Sequence, residues 1–181
     1  MGRTTYYPHD MTVTALIVAA GRGTRAGGDI PKQWRPLGGD ETCPRVIDHT
    51  IAAFRPFVDR IVVVHHRDDA DLMQTLNDIT PVVGRSTRSA SVKAGLDAIK
   101  DTGVTKVLIH DAARALVPHA VIRNVLTALE TGRAAAPGLQ VTDALWRGDT
   151  TVDGTQDRTG LWRAQTPQGF KFEAILAAHR A

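Results

Sequence analysis

The chain has a single cysteine, Cys43. No intrachain disulfide can form and no cysteine-rich metal site can be built, so a reducing, cytoplasmic setting is expected. No apolar run approaches the ~18 residues needed to cross a bilayer. Residues 1–11 include Arg3, Pro8, His9 and Asp10 and no continuous apolar stretch. They do not read as a secretory signal, and residues 1–12 are expected to form a flexible extension. Charge of one sign is scarce as well: Lys and Arg total 22 against 19 acidic residues, a net charge of +3. That excess is too small for a nucleic-acid footprint and suits a few cations gathered in one cleft for a small anion. Neither repeats nor low-complexity tracts occur.

What is present is the apolar content of one globular domain, 43% hydrophobic over 181 residues. Short β-branched runs at Val13–Val18, Arg60–Val64, Thr80–Val83 and Val104–Ile109 read as buried parallel strands. Helical patterns lie between and after them, at Val46–Phe54, Ala70–Ile79, Ser89–Ile99 and Val121–Leu129, each with one apolar face. The alternation predicts an α/β fold, an open, mostly parallel Rossmann-like sheet with helices on both faces and ligands beyond the carboxyl ends of the strands. After Pro137 the pattern changes. Leu139–Trp146 and Leu161–Ala164 read as extended, with Asp153-Gly154 as a tight turn between them. Residues of about 139–165 are thus expected to form a projecting β-arm of the domain 13–181, and Phe170–His179 a final helix.

The strongest local signal is Ala19-Ala20-Gly21-Arg22-Gly23-Thr24-Arg25 directly after the first strand, followed by Pro31-Lys32-Gln33. Glycines there let the backbone turn sharply and bring N–H groups against phosphate oxygens. Arg25 and Lys32 add charge where a phosphoryl or nucleotidyl transfer needs it. Gly21, Gly23 and Ala26 formally fit a dinucleotide-binding fingerprint, but Gly27, Gly28, Pro31 and Pro36 break the helix that the motif should open. No Gly-Lys-Ser/Thr follows, which excludes a Walker-type loop. An ordinary strand-to-loop turn with solvated basic residues is the plainer reading.

From Leu16 to Gln33 the chain resembles the 2-C-methyl-D-erythritol 4-phosphate cytidylyltransferase (IspD) family, and further segments follow in that family's order. They are Gly84 with Thr87, Arg88, Ser91 and Val92; His110-Asp111-Ala112-Ala113-Arg114; Val141 and Asp143; and Asp157-Arg158, Gly160-Leu161-Trp162 and Thr166-Pro167-Gln168. The resemblance spans Val13 to Ala181. It implies transfer of CMP from CTP to a sugar-alcohol phosphate in isoprenoid biosynthesis, with Mg²⁺ or another divalent cation and a homodimer formed through the arm.

The resemblance also implies roles. Arg25 and Lys32 stabilise the triphosphate and the transition state as the catalytic pair. Ala19, Ala20, Gly21 and Gly23 give backbone contacts to the nucleotide, Gly84 and Ser91 read the cytosine, and Asp111 with Ala112 meets ribose or metal, Asp111 being the metal ligand. Arg114, Arg158 and Thr166 contact the acceptor phosphate, with Arg158 reaching a neighbour's site. Read without the family, Ser86 or Thr87 is a helix N-cap, His110-Asp111 a polar strand end and Arg158 a surface arginine. His65-His66 lacks a third ligand for zinc. Trp146 and Trp162 are expected to pack the arm, and no G-x-S-x-G elbow points to a hydrolase.

The sequence departs from the family at Arg85, where a second glycine is common, and at Ala144, where a threonine is usual. It also ends before the family's final segment, which carries a metal-side acidic residue and a lysine. A truncated chain, or one parted from a fused cyclodiphosphate synthase, is therefore an expectation. Ribitol 5-phosphate cytidylyltransferases share the glycine loop and Pro-Lys-Gln, and a CTP-binding module without turnover would share the site. An NAD(P)-binding domain would instead show dinucleotide binding.

Overall fold

The computed structural model describes residues 12–22, 30–38, 40 and 42–179. Strand β1, Thr12–Ala19, forms the middle of a six-stranded sheet because both its faces are apolar. Val13, Ala15, Ile17 and Ala19 point to one side, and Leu16 with Val18 to the other. Helix α1 (Val46–Phe54) follows and covers the first side with Ile47, Ile51 and Phe54. Strand β2 (Arg60–His65) then pairs parallel to β1, with Leu16 opposite Val62.

Ala70–Ile79, expected as one helix, is helical only over Ala70–Met73, here α2. Met73 joins the core and Leu72, Leu76 and Ile79 pack against it, the last two from irregular backbone, and Asp78 adopts a positive φ of 52°, outside the helical region. Strand β3 (Thr80–Val83) extends the sheet, and α3 (Arg88–Ile99) packs Val92, Leu96 and Ile99 on the second face. The chain then crosses to the opposite side of β1 as β4 (Val104–Asp111), parallel to it. Helix α4 (His119–Thr131) returns to the first face with Ile122, Val125, Leu126 and Leu129. Each such side chain stabilises the fold by roughly 1.5–3 kcal/mol relative to exposure.

Strand β5 is the pair Ala134–Ala135. The arm follows as β6 (Gly138–Gln140), β7 (Leu145–Gly148), β8 (Val152–Gln156) and β9 (Trp162–Ala164), paired antiparallel as β6 with β9 and β7 with β8. The turn is not at Asp153-Gly154, which lie inside β8. It falls between Gly148 and Val152, where Gly148 has φ +144° and a Cβ would sit 1.9 Å from the Thr151 carbonyl oxygen. Trp146 and Trp162 do not bury themselves in the arm. They are 70% and 63% exposed, because a two-stranded ribbon offers no opposing layer.

Strand β10 (Gln168–Lys171) runs antiparallel between β4 and β5, so the expected helix from Phe170 begins only at Phe172, as α5 (Phe172–Ala178). The order is β3-β2-β1-β4-β10-β5. It reverses between β1 and β4, and the cleft beyond their carboxyl ends is where such sheets bind ligands. No helix among the described residues is long and apolar enough to cross a membrane. Residues 1–11 of the expected extension lie outside the described residues, and Thr12 already belongs to β1.

Candidate active site

At the reversal, Val18 lies beside Asp111, and the Ala112 amide donates to the Val18 carbonyl at 3.0 Å. Strand β4 therefore delivers the Asp111 carboxylate next to the turn at Ala20 and Gly21. Both termini are braced: Thr50 Oγ1 on α1 donates to the Ala112 carbonyl at 2.8 Å, and Gln33 Nε2 donates to the carbonyls of Ala19 (2.7 Å) and Gly21 (3.0 Å). Gly23 and Arg25 lie outside the described residues.

Ala20, Gly21, Arg88, Ser91 and Asp111 line a cavity of about 240 Å³ at this point. Gly84 is forced by close approach, since a Cβ on it would fall 2.6 Å from Ala20 Cβ and 3.2 Å from the His65 carbonyl oxygen. The Ser91 hydroxyl is committed to the segment it borders, accepting from Arg85 N at 2.9 Å and donating to Arg85 O at 3.1 Å. The hydroxyl thereby ties down the backbone of Arg85, beside Gly84. Thr87 is the N-cap of α3, accepting from Ala90 N at 3.1 Å.

Asp111 sits between two arginines. Arg88 donates to Oδ1 from Nε (3.1 Å) and Nη2 (2.9 Å), and Arg114 Nε is 3.5 Å from Oδ2. Arg114 also donates to Gln165 Oε1. Arg114, Lys32 and Thr166 line a second cavity of about 500 Å³, and the Asp111–Arg114 ion pair links its wall to that of the first. Lys32 is exposed and makes no ion pair with another described residue. Its neighbours Gln33 and Trp34 are buried, so the amine is presented from a fixed turn, Lys32–Trp34.

His110, fully buried, sets the rest of this wall. Its Nε2 is 3.0 Å from the Arg114 carbonyl, which only accepts, so Nε2 carries the proton and donates. Nδ1 then accepts from Thr166 Oγ1 at 2.9 Å. The Thr166 proton is committed to the imidazole, leaving the hydroxyl only lone pairs for a ligand. Burial pushes the His110 pKa below its usual value against the bond to Arg114, which favours the charged form. His110 is thus a buried brace rather than the polar strand end its sequence context suggests.

Sequence reasoning passed over a second cluster. Arg22 donates to Asp69 Oδ1 (2.9 Å), Asp68 Oδ2 (2.5 Å) and His66 Nδ1 (2.8 Å), and Trp34 Nε1 donates to Asp69 Oδ2 (2.9 Å). His66 Nδ1 also accepts from Asp68 N, so its proton is on Nε2. His65-His66 holds the loop, and no group of three metal-ligating side chains occurs among the described residues. Arg158 is not brought to either cavity: on the arm it donates to the Thr142 carbonyl.

The turn after β1, the Asp111 carboxylate across the strand reversal and the wall carrying Lys32 and Arg114 thus lie at the carboxyl ends of the strands, in an α/β fold shared with a solved 4-diphosphocytidyl-2C-methyl-D-erythritol synthase at a TM-score of 0.79 and 30% identity. The family model for 2-C-methyl-D-erythritol 4-phosphate cytidylyltransferase, IspD, matches residues 13–181, and the chain belongs to that family. It is 58% identical over 174 residues to the bifunctional enzyme IspD/IspF of Rhodobacter capsulatus, covering 94% of this chain and 45% of that protein. It is 54% identical over 179 residues to the 2-C-methyl-D-erythritol 4-phosphate cytidylyltransferase of Cereibacter sphaeroides, covering 94% and 78%. The crystal structure of the Thermus thermophilus cytidylyltransferase superposes with a TM-score of 0.73 at 30% identity, over 94% of this chain and 75% of that one. The chain thus spans less than half of the bifunctional relative and about three quarters of the others.

Proposed function

We propose that this chain is a cytoplasmic cytidylyltransferase that transfers CMP from CTP to 2-C-methyl-D-erythritol 4-phosphate in non-mevalonate isoprenoid biosynthesis. The products are 4-diphosphocytidyl-2-C-methyl-D-erythritol and pyrophosphate. The observation that carries this reading is the pair of cavities joined by Asp111 and Arg114 at the strand reversal, with Lys32 turned to the second, in a chain of this family.

A phosphate oxygen of the acceptor attacks the α-phosphorus of CTP. The bond from that phosphorus to the bridging oxygen breaks, and pyrophosphate leaves with the electron pair. No protein nucleophile is needed, so the chain's work is to position two polyanions and offset the charge that spreads in the transition state. Ala19, Ala20, Gly21 and Gly23 offer backbone to the phosphates, and Arg25 and Lys32 offer charge. The Gly84–Ser86 backbone, held by Ser91, suits a small pyrimidine, and Asp111 and Ala112 border the ribose. Arg114 holds the acceptor phosphate with the geometry a guanidinium provides, and Thr166 orders that wall.

Among the described residues, Asp111 is the one carboxylate lining the nucleotide cavity, and both its oxygens have arginine neighbours. A hard divalent cation at Asp111 would have to displace an arginine from one oxygen and to bring most of its ligands as phosphate oxygens of the nucleotide, so it would arrive with the nucleotide and would not be held by protein alone. Magnesium bound there would neutralise phosphate charge. The arm leaves Leu139, Trp146, Val152 and Trp162 exposed and keeps Arg158 from this chain's own cavities, which supports a homodimer whose arms exchange Arg158 between sites.

The test is pyrophosphate release by the purified chain with magnesium, CTP and methylerythritol phosphate. Ribitol phosphate, the other nucleoside triphosphates and Arg25→Ala run alongside. Release that needs both substrates and collapses in the variant supports the reading. Preference for ribitol phosphate reassigns the acceptor, and CTP binding without release leaves a binding module.

A further inference from the structure

Two elements of the proposed site come from chain segments with no direct covalent reason to keep their distance: the glycine turn after β1 and the Lys32 turn. One buried carboxylate touches both. Asp69 is 3% exposed, and its two oxygens are divided between Arg22, next to Gly21, and Trp34, two residues after Lys32, each at 2.9 Å. Asp69 itself stands on a short turn, Arg67–Asp69, immediately after β2, which is hydrogen-bonded along its length to β1. His66 caps that turn and meets Arg22 as well.

We propose that Asp69 is a positioning residue, a post that fixes the glycine turn through Arg22 and the Lys32 turn through Trp34, and so sets the separation of the two phosphate-holding elements. This rests on the reading of the site as a nucleotidyltransferase centre. A carboxylate is the group this place needs, because both neighbours only donate and each oxygen has one donor to receive. An asparagine of the same size presents an amide hydrogen to one of them, so one arm of the post is broken whichever way it turns. Gln33 makes a second tie from the Lys32 turn to Ala19 and Gly21, but it ends on carbonyls and does not hold Arg22, whose other described partners, Asp68 and His66, are more exposed and make no bond to the Lys32 turn.

The experiment compares Asp69→Asn, Arg22→Met and Trp34→Phe with the unaltered chain. Steady-state kinetics are read together with the indole N–H resonances and the amide exchange of residues 19–22 and 31–34. Trp34 is the buried indole, whereas Trp146 and Trp162 lie exposed on the arm, so its resonance can be told apart. Misplacement of a charge by about an ångström lowers turnover on the order of 10²-fold. The expected result is therefore a fall of that order in kcat for Asp69→Asn, with the acceptor KM changed little. The Trp34 resonance should move and exchange should speed up in both turns. Arg22→Met should lower kcat too, and adding it to Asp69→Asn should cost less than the product of the two single effects.

Wild-type kcat in Asp69→Asn, whatever happens to its melting temperature, overturns the proposal, as does full multiplicativity with Arg22→Met. If Asp69→Asn fails to fold, Arg22→Met, whose side chain is partly exposed, carries the test alone, and an unchanged kcat there overturns it. Should the unaltered chain release no pyrophosphate, the assigned reaction fails separately. The post is then judged by CTP affinity, which Asp69→Asn must weaken for the proposal to stand.

Discussion

Gly84 and Ala20 touch so closely that a side chain on the former has no room: the Cβ it lacks would stand 2.6 Å from Ala20 Cβ. The segment after β3 thereby rests directly on the turn that follows β1. The other two atoms that Cβ would meet, Ser91 Oγ at 3.0 Å and the His65 carbonyl oxygen at 3.2 Å, are held by hydrogen bonds and cannot retreat. Gly84→Ala is expected to destabilise the fold by roughly 1–3 kcal/mol, as overpacking does. It should also weaken CTP binding more than it slows turnover at saturation. Urea unfolding and CTP titration check the two parts.

Ser91→Ala removes the partner of both backbone groups of Arg85. Leaving a part-buried N–H and carbonyl unpaired costs about 1–3 kcal/mol. Because the Gly84–Ser86 backbone loses its tie, the KM for CTP is expected to rise while the acceptor KM stays near its starting value. Equal changes in both would place Ser91 outside nucleotide recognition.

Lys32→Ala should separate rate from folding. The amine is exposed and unpaired among the described residues, so the melting temperature is expected to stay within a degree or two, as for most surface changes. If Lys32 meets charge that develops on the phosphates, kcat falls by about 10²–10³-fold. A large loss of stability with normal kcat would argue for a structural lysine.

His110 gives an acid-side signature. Its folded pKa is lowered below the unfolded 6.5, mainly by burial. The unfolded chain then binds the extra proton first, so the neutral brace is at full strength above pH 6.5 and loses stability as pH falls below it toward the folded value. Denaturation followed from pH 8 to pH 5 should show that decline, and His110→Gln should flatten it in that window. Asp48 adds a separate loss at lower pH: despite its burial, the bonds from Arg45 hold its carboxyl below 3.8.

Arg158→Ala tests the arm. If Arg158 serves a neighbour's site, mixing inactive Arg158→Ala with inactive Lys32→Ala should restore part of the activity, since one of the mixed sites then contains both residues. No recovery after subunit exchange would confine Arg158 to its own chain.

Much of this molecule was legible before folding, for a physical reason. The continuous apolar run of Val13–Val18 and the 3.6-residue spacing in Val46–Phe54 and Val121–Leu129 are local properties, and they mark a strand buried on both faces and helices with one face toward the core. Gly21 and Lys32 stood out as a glycine turn with a nearby cation after the first strand, whereas Asp111 and Arg114 stood out only through the resemblance to the family, since by itself His110-Asp111 reads as a polar strand end. Tertiary structure decided the rest. Gln168–Lys171 becomes a strand only because β4 and β5 offer it partners, and the segment Ala70–Ile79 is helix only to Met73, the rest turning back toward β3. The bonds that hold the site span large separations in the chain: Arg22 to Asp69, Trp34 to Asp69 and His110 to Thr166. A sequence displays neighbours along the chain. A buried carboxylate with two donors, or an imidazole with its tautomer set by a carbonyl, is a property of what the fold brings beside it.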